Sequence, residues 1–139
     1  MSELQLPYPI YEALLAQARG AAPIEACGIL AGKGGHICAY HPMTNTDGST
    51  DHFMMDPREQ FAVAKAIRAA GHELLAVHHS HPASPARPSA EDIRLAATPG
   101  VVYTILSLAD PSTPTIKGFL IGSSVHEVPL IVVRDSEAP

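Results

Sequence analysis

The chain has no tryptophan, and aromatic residues make up only 5% of its 139 residues. A platform for stacking bases is therefore missing. No cluster of Lys and Arg offsets the net charge of −5, which argues against a nucleic-acid surface. No apolar run approaches the roughly 20 residues that a membrane-spanning helix needs, so no membrane insertion is expected. The two cysteines, Cys27 and Cys38, form no Cys-x-x-Cys motif and are too few for a disulfide framework. Residues 1–5 are acidic and lack the basic start of a signal peptide, so a reducing cytoplasm is the expected setting. Internal repeats and low-complexity tracts are absent as well. What remains, 46% apolar and 17% charged, is the composition of a globular protein long enough to bury a core. Residues 1–133 are expected to form one domain, and residues 134–139 a disordered tail.

Against this background one stretch carries chemistry. His79-Ser80-His81-Pro82 is followed by Ser89 and Asp92, with ten residues between His81 and Asp92. The apolar run before it, residues 73–79, reads as a strand that enters a polar end. On a strand, residues i and i+2 face the same side, about 7 Å apart. His79 and His81 can therefore converge on one metal while Ser80 points away. Pro82 stops the ladder because it has no N–H to donate. Pro85 and Pro88 then shape a loop, and Ser89-Ala90-Glu91-Asp92 has the form of an N-terminal capping box. Asp92 would sit in the first helical turn, near the strand end if the loop folds back. Two His and one Asp leave a fourth coordination position open, as catalytic rather than structural zinc sites do. An upstream carboxylate, Glu25, is a candidate general base. Capping alone would explain Ser89 and Asp92, and with 8 histidines in the chain a His-x-His can arise by chance. The combination is what favours a metal site.

The remaining elements follow from periodicity and turn chemistry. Residues 8–19 read as a helix, with Ile10, Leu14, Leu15 and Ala18 at helical spacing. Residues 24–31 read as a short apolar strand that contains Glu25, and residues 36–42 pair with it across the glycine-rich turn 32–35. Residues 44–51 are loop, and residues 52–55 a short edge strand. Asp56-Pro57-Arg58-Glu59 starts a helix that runs to about Ala70. Strands are expected at residues 101–108, 115–121 and 125–133, the last three completing a meander. The expected fold class is α/β (α+β): a central mixed, largely antiparallel sheet flanked by helices.

Glu25, His79-Ser80-His81-Pro82, Ser89 and Asp92 together resemble the signature of the JAMM (MPN+) zinc metalloproteases. The resemblance covers nearly the whole chain, and every position of the motif is filled. It implies a JAMM/MPN fold similar to that of cytidine deaminases. It also implies one zinc ion held by His79, His81 and Asp92, with Glu25 activating water at the open position and Ser89 stabilising the oxyanion. Glu25-Ala26-Cys27-Gly28-Ile29-Leu30, Pro42-Met43-Thr44-Asn45 and Asp56-Pro57 further resemble small bacterial enzymes of this family. Those enzymes act on ubiquitin-like sulfur-carrier proteins and release cysteine, or a C-terminal extension, after the carrier's terminal Gly-Gly. Dimers occur in the family, so a homodimer is one possible assembly.

Other residues have lesser expected roles. His78 should point to the face opposite His79, and Cys27 should be a core residue without catalytic use. His41 and Arg87 are candidates for the substrate groove or for solvated positions. The loop 44–51 with Phe53, Met54 and Met55 would form a groove wall for an extended tail. Two other functions stay open: a non-catalytic MPN-type scaffold, which need bind no metal, and a JAMM peptidase with an unrelated peptide substrate. A deaminase of related fold is disfavoured, because the Pro-Cys-x-x-Cys ligands of that chemistry are missing.

Overall fold

The computed structural model describes residues 3–134. One eight-stranded sheet organises it, in the spatial order β7-β6-β5-β4-β2-β3-β1-β8. The strands are β1 (Leu4–Pro7), β2 (Cys27–Lys33), β3 (His36–Met43), β4 (Glu73–His81), β5 (Val102–Ser107), β6 (Thr115–Ile121), β7 (Val125–Val128) and β8 (Leu130–Val133), and the helices are α1 (Tyr8–Ala21), α2 (Pro57–Ala69) and α3 (Ala90–Leu95). Four strand pairings are antiparallel and three are parallel, the mixed sheet expected from the sequence. Among the described residues no helix is long and apolar enough to cross a membrane.

The two faces of the sheet carry separate cores. On one face, Leu14 and Ala18 of α1 pack with Leu4, Leu6, Leu30, Ile37, Val102 and Leu106. Each leucine so buried contributes roughly 1.5–3 kcal/mol relative to an exposed one. On the other face, Ile67 of α2 packs with Cys27, Ile29, Ala31, Met43 and Met55. The strand alternation in β4 distributes its residues accordingly: Val77 packs with the α2 side and Ala76 with the α1 side. His79 and His81 share the parity of Val77, and His78 and Ser80 that of Ala76.

Four readings are corrected. Strand β1 was not read from the sequence: its alternation spans only Leu4, Gln5 and Leu6 before Pro7, although both leucines are fully buried. Residues 125–133 are two strands, because Pro129 cannot continue a ladder. β7 pairs with β6, whereas β8 crosses to pair in parallel with β1 at the opposite end of the strand order. The two ends of the sheet are thus joined through one residue, and the sheet must curl around the α1-side core. Residues 52–55 form no edge strand; Met55 makes only an isolated bridge to Asn45. The 32–35 turn is tighter than expected. Gly34 and Gly35, with φ of 56° and 84°, form a two-residue hairpin loop between Lys33 and His36, the conformation only glycine adopts freely at both positions. Of the expected tail, residues 135–139 lie outside the described residues, and Arg134 stacks its guanidinium 3.8 Å over the Tyr8 ring.

Gly28, the second residue of β2, faces Tyr40. A Cβ there would lie 2.6 Å from the His41 carbonyl oxygen and would also meet the Tyr40 hydroxyl. A backbone atom cannot swing aside, so Gly28→Ala is expected to lower stability by about 1–3 kcal/mol, read as a lower urea midpoint with an unchanged m-value.

Candidate metal centre

β4 ends in the residues that matter most. It lies between β2 and β5, paired antiparallel with the first and in parallel with the second. A strand held on both sides is a rigid support. The parallel step from β4 to β5 needs a crossover, and α3 lies within it. Ser89 caps α3: its hydroxyl accepts from the Asp92 N–H at 3.0 Å, and the Ser89 N–H donates to Asp92 Oδ2 at 2.9 Å. This capping box aims the Asp92 carboxylate back at the strand end. His79 Nε2, His81 Nε2 and Asp92 Oδ2 come together there: 3.2 Å between the imidazoles, 3.2 Å from His79 to Asp92 and 2.9 Å from His81 to Asp92. All three residues are buried.

The donor set fits one cation. His81 Nδ1 donates to the Pro85 carbonyl at 2.8 Å, which leaves Nε2 as the lone-pair nitrogen of the neutral ring. That lone pair, a second imidazole nitrogen and a carboxylate oxygen face a common point. Ligand atoms of four-coordinate zinc stand roughly 3.3–3.6 Å apart for bonds of about 2.0–2.2 Å, and the observed triangle is slightly smaller than that. His79 is oriented differently: the Phe53 ring stacks on it at 4.7 Å and 28°. No group among the described residues pairs with its Nδ1.

The electrostatics follow from the same contacts. In the metal-free protein burial alone would raise the Asp92 pKa, but hydrogen bonds from protons on His79 Nε2 and His81 Nε2 hold it well below the carboxylate range. Burial keeps His79 neutral. His81 is pushed the other way: burial opposes its charge, but the bonds to Asp92 and Pro85 outweigh it. Glu25 is pushed up to about 7, chiefly by burial; His81 opposes the shift and Asp92 adds to it. Its Oε1 is buried without a partner among the described residues.

A cleft of about 280 Å³ adjoins the triangle. Its lining includes His79 and Asp92, the loop residues Phe53 and Met54, and also Leu95 and Tyr103. Leu95 and Tyr103 were not foreseen: one ends a six-residue helix and the other lies in a strand buried along its whole length, so neither has a periodicity that marks a groove.

The family model described as prokaryotic homologs of the JAB domain matches residues 7–121. The chain belongs to this family. Among its relatives, the CysO-cysteine peptidase of Mycobacterium tuberculosis is 35% identical over 132 residues, covering 90% of this chain and 88% of that protein. The solution structure of protein DSY2949 from Desulfitobacterium hafniense has a TM-score of 0.87 and 44% identity, with 95% of this chain and 94% of that one covered. The crystal structure of AF2198, a JAB1/MPN domain protein from Archaeoglobus fulgidus, has a TM-score of 0.62 over 94% of this chain and all of that one; at 19% identity the likeness is one of fold.

Within this JAB domain the other expected residues fall as follows. Glu25 precedes β2 rather than lying in it, since the ladder begins at Cys27. His78 turns to the α1 face, where Nδ1 meets Thr104 Oγ1 at 2.8 Å and Tyr40 contacts the ring edge-on. Burial holds His78 down to about 3, so it is neutral. Cys27 is buried, its thiol pushed up to about 12 by desolvation, which makes it inert. Met54 is 50% exposed on the cleft wall, whereas Met55 belongs mainly to the α2-side core. His41 and Arg87 are outside the cleft lining; Arg87 is exposed and borders a separate depression with Lys117.

The raised Glu25 pKa has a sign that can be checked in the metal-free protein. Between 4.5 and about 7 the folded state binds more protons than the unfolded one, so this group's contribution to stability falls as pH rises through that window. The full cost above it is roughly 3 kcal/mol. Glu25→Gln should therefore raise Tm at pH 8 and leave it nearly unchanged at pH 4, by calorimetry in chelator.

Proposed function

We propose that the protein is a zinc-dependent peptidase. It cleaves after the C-terminal Gly-Gly of a ubiquitin-like sulfur-carrier protein and releases cysteine or a C-terminal extension. The observation that carries the reading is the triangle of His79, His81 and Asp92, of which His79 and Asp92 line an apolar cleft, with the buried Glu25 carboxyl near enough to feel the charges of His81 and Asp92. The 35% identity to a CysO-cysteine peptidase supports the substrate class.

His79, His81 and Asp92 would hold one zinc ion. When bound, it would supply Lewis acidity, bringing the pKa of water toward neutrality and polarising the scissile carbonyl. Glu25 is the general base. Its carboxylate takes the proton of the attacking water and passes it to the leaving amine, and a base whose pKa is raised toward 7 by burial suits both transfers near neutral pH. The Ser89 hydroxyl accepts the Asp92 N–H and keeps its own proton, which it donates to the developing oxyanion. Phe53, Met54, Leu95 and Tyr103 exclude water from the reacting bond and flank a tail that has no side chains of its own at Gly-Gly. An extended tail of this kind binds mainly through its main chain. No acyl-enzyme is involved, in keeping with the inert Cys27.

A ubiquitin-like carrier bearing one cysteine after its terminal Gly-Gly is the direct test. With zinc, intact mass spectrometry should show loss of the cysteine residue; with chelator the carrier should stay whole. Glu25→Gln should keep one zinc per chain and lose turnover by a factor on the order of 10² or more. Zinc-loaded protein that leaves the carrier intact would move the substrate elsewhere, and cleavage undiminished by Glu25→Gln would remove Glu25 from the base role.

A further inference from the structure

We propose that Asn45 is the positioning residue of Glu25, tying the base and the cleft wall into one unit. The proposal rests on Glu25 being the base. Glu25 precedes the first ladder residue of β2, so strand pairing does not hold it. Its main chain is held instead by the loop after β3. The Glu25 N–H donates to the Ser49 carbonyl at 2.9 Å, and the Glu25 carbonyl accepts from Asn45 Nδ2 at 3.0 Å.

The same Nδ2 amide donates its other hydrogen to the His52 carbonyl at 3.0 Å. Asn45 Oδ1 accepts from the N–H of Met54 at 3.1 Å and from that of Asp47 at 3.2 Å. Two donors and two acceptors are thus all in use, the complete capacity of a carboxamide. One pair of hydrogens joins the base segment to the wall segment, because His52 and Met54 line the cleft. On its other side the base segment is pinned to β4: the Ala26 N–H donates to Ser80 Oγ at 2.8 Å, and the Ser80 N–H donates to the Ala26 carbonyl at 3.0 Å. Ser80 stands between the two histidines of the triangle. Ser80 therefore fixes where Glu25 lies along the triangle, and Asn45 fixes it against the wall. Side chains of similar size cannot do the latter: Asp lacks both donors, and Ser or Thr cannot supply two.

The test is Asn45→Asp, which keeps the shape and the acceptor and removes both donors, with Asn45→Ala as a second variant should the added charge prevent folding. On the carrier–cysteine substrate, kcat should fall on the order of ten- to a hundredfold, with KM changing far less and one zinc still bound. In a Glu25→Gln background, followed by single-turnover mass spectrometry, the same change should cost nothing further, because a residue that acts through Glu25 has no effect once the carboxylate is gone. An equal loss in that background, or a change confined to KM, would overturn the proposal. Amide exchange on the metal-free protein supplies a readout independent of turnover. In Asn45→Asp exchange should quicken at Glu25 and stay unchanged at Ala26, which Ser80 holds, whereas Met54, whose N–H keeps its acceptor in Asp, should quicken only in Asn45→Ala; quickening throughout the sheet, or none at Glu25, would also overturn it. If the wild type leaves the carrier intact, the substrate reading fails and the exchange pattern alone decides the role of Asn45.

Discussion

Three Lewis-basic atoms, two imidazole nitrogens and one carboxylate oxygen, stand within 3.2 Å of one another in a buried corner of the protein. Lone pairs so arranged repel unless protons or a cation lie among them, and burial removes the water that would otherwise screen them. Much of the surrounding structure serves to hold this corner. β4 is clamped between β2 and β5 so that His79 and His81 keep the same face. The Pro85 carbonyl sets the His81 tautomer, and the Ser89 cap turns Asp92 inward. The Asp92 Oδ2 atom serves both the cap and the triangle, so helix start and candidate metal site are one feature.

The same corner explains why Glu25 is buried with a carboxyl that ionises only near neutrality. Its segment has left the ladder, and its main-chain groups are satisfied by a loop and by Ser80. A carboxylate in such a place weakens the metal-free fold at neutral pH, a cost that the proposed role of Glu25 as a base would explain. Asn45 and Ser80 confine that cost to one side chain, because the backbone around it keeps its hydrogen bonds.

The site was legible in the sequence to the extent that local geometry wrote it. The His-x-His pair and the Ser-x-x-Asp cap each follow from a period or a cap that chemistry dictates, and the structure brings those four residues together. Most elements were legible for the same reason, since their apolar periods are long or their caps distinct. What could not be read depends on contacts distant in sequence. β1 is too short to show a period and is fixed by β3 and β8. The separation of β7 from β8 rests on Pro129, whose effect is visible only once both ends of the sheet are in place. Leu95, Tyr103 and Asn45 become site neighbours through the fold alone, and a lone asparagine after a strand looks like ordinary loop chemistry.

The account stands on these three atoms closing around one metal ion. X-ray absorption of the zinc-loaded protein tests that most directly. The account predicts one zinc per chain with only nitrogen and oxygen neighbours at about 2.0–2.2 Å and the outer-shell scattering of two imidazoles. A sulfur neighbour at about 2.3 Å, or scattering from fewer than two imidazoles, would contradict it.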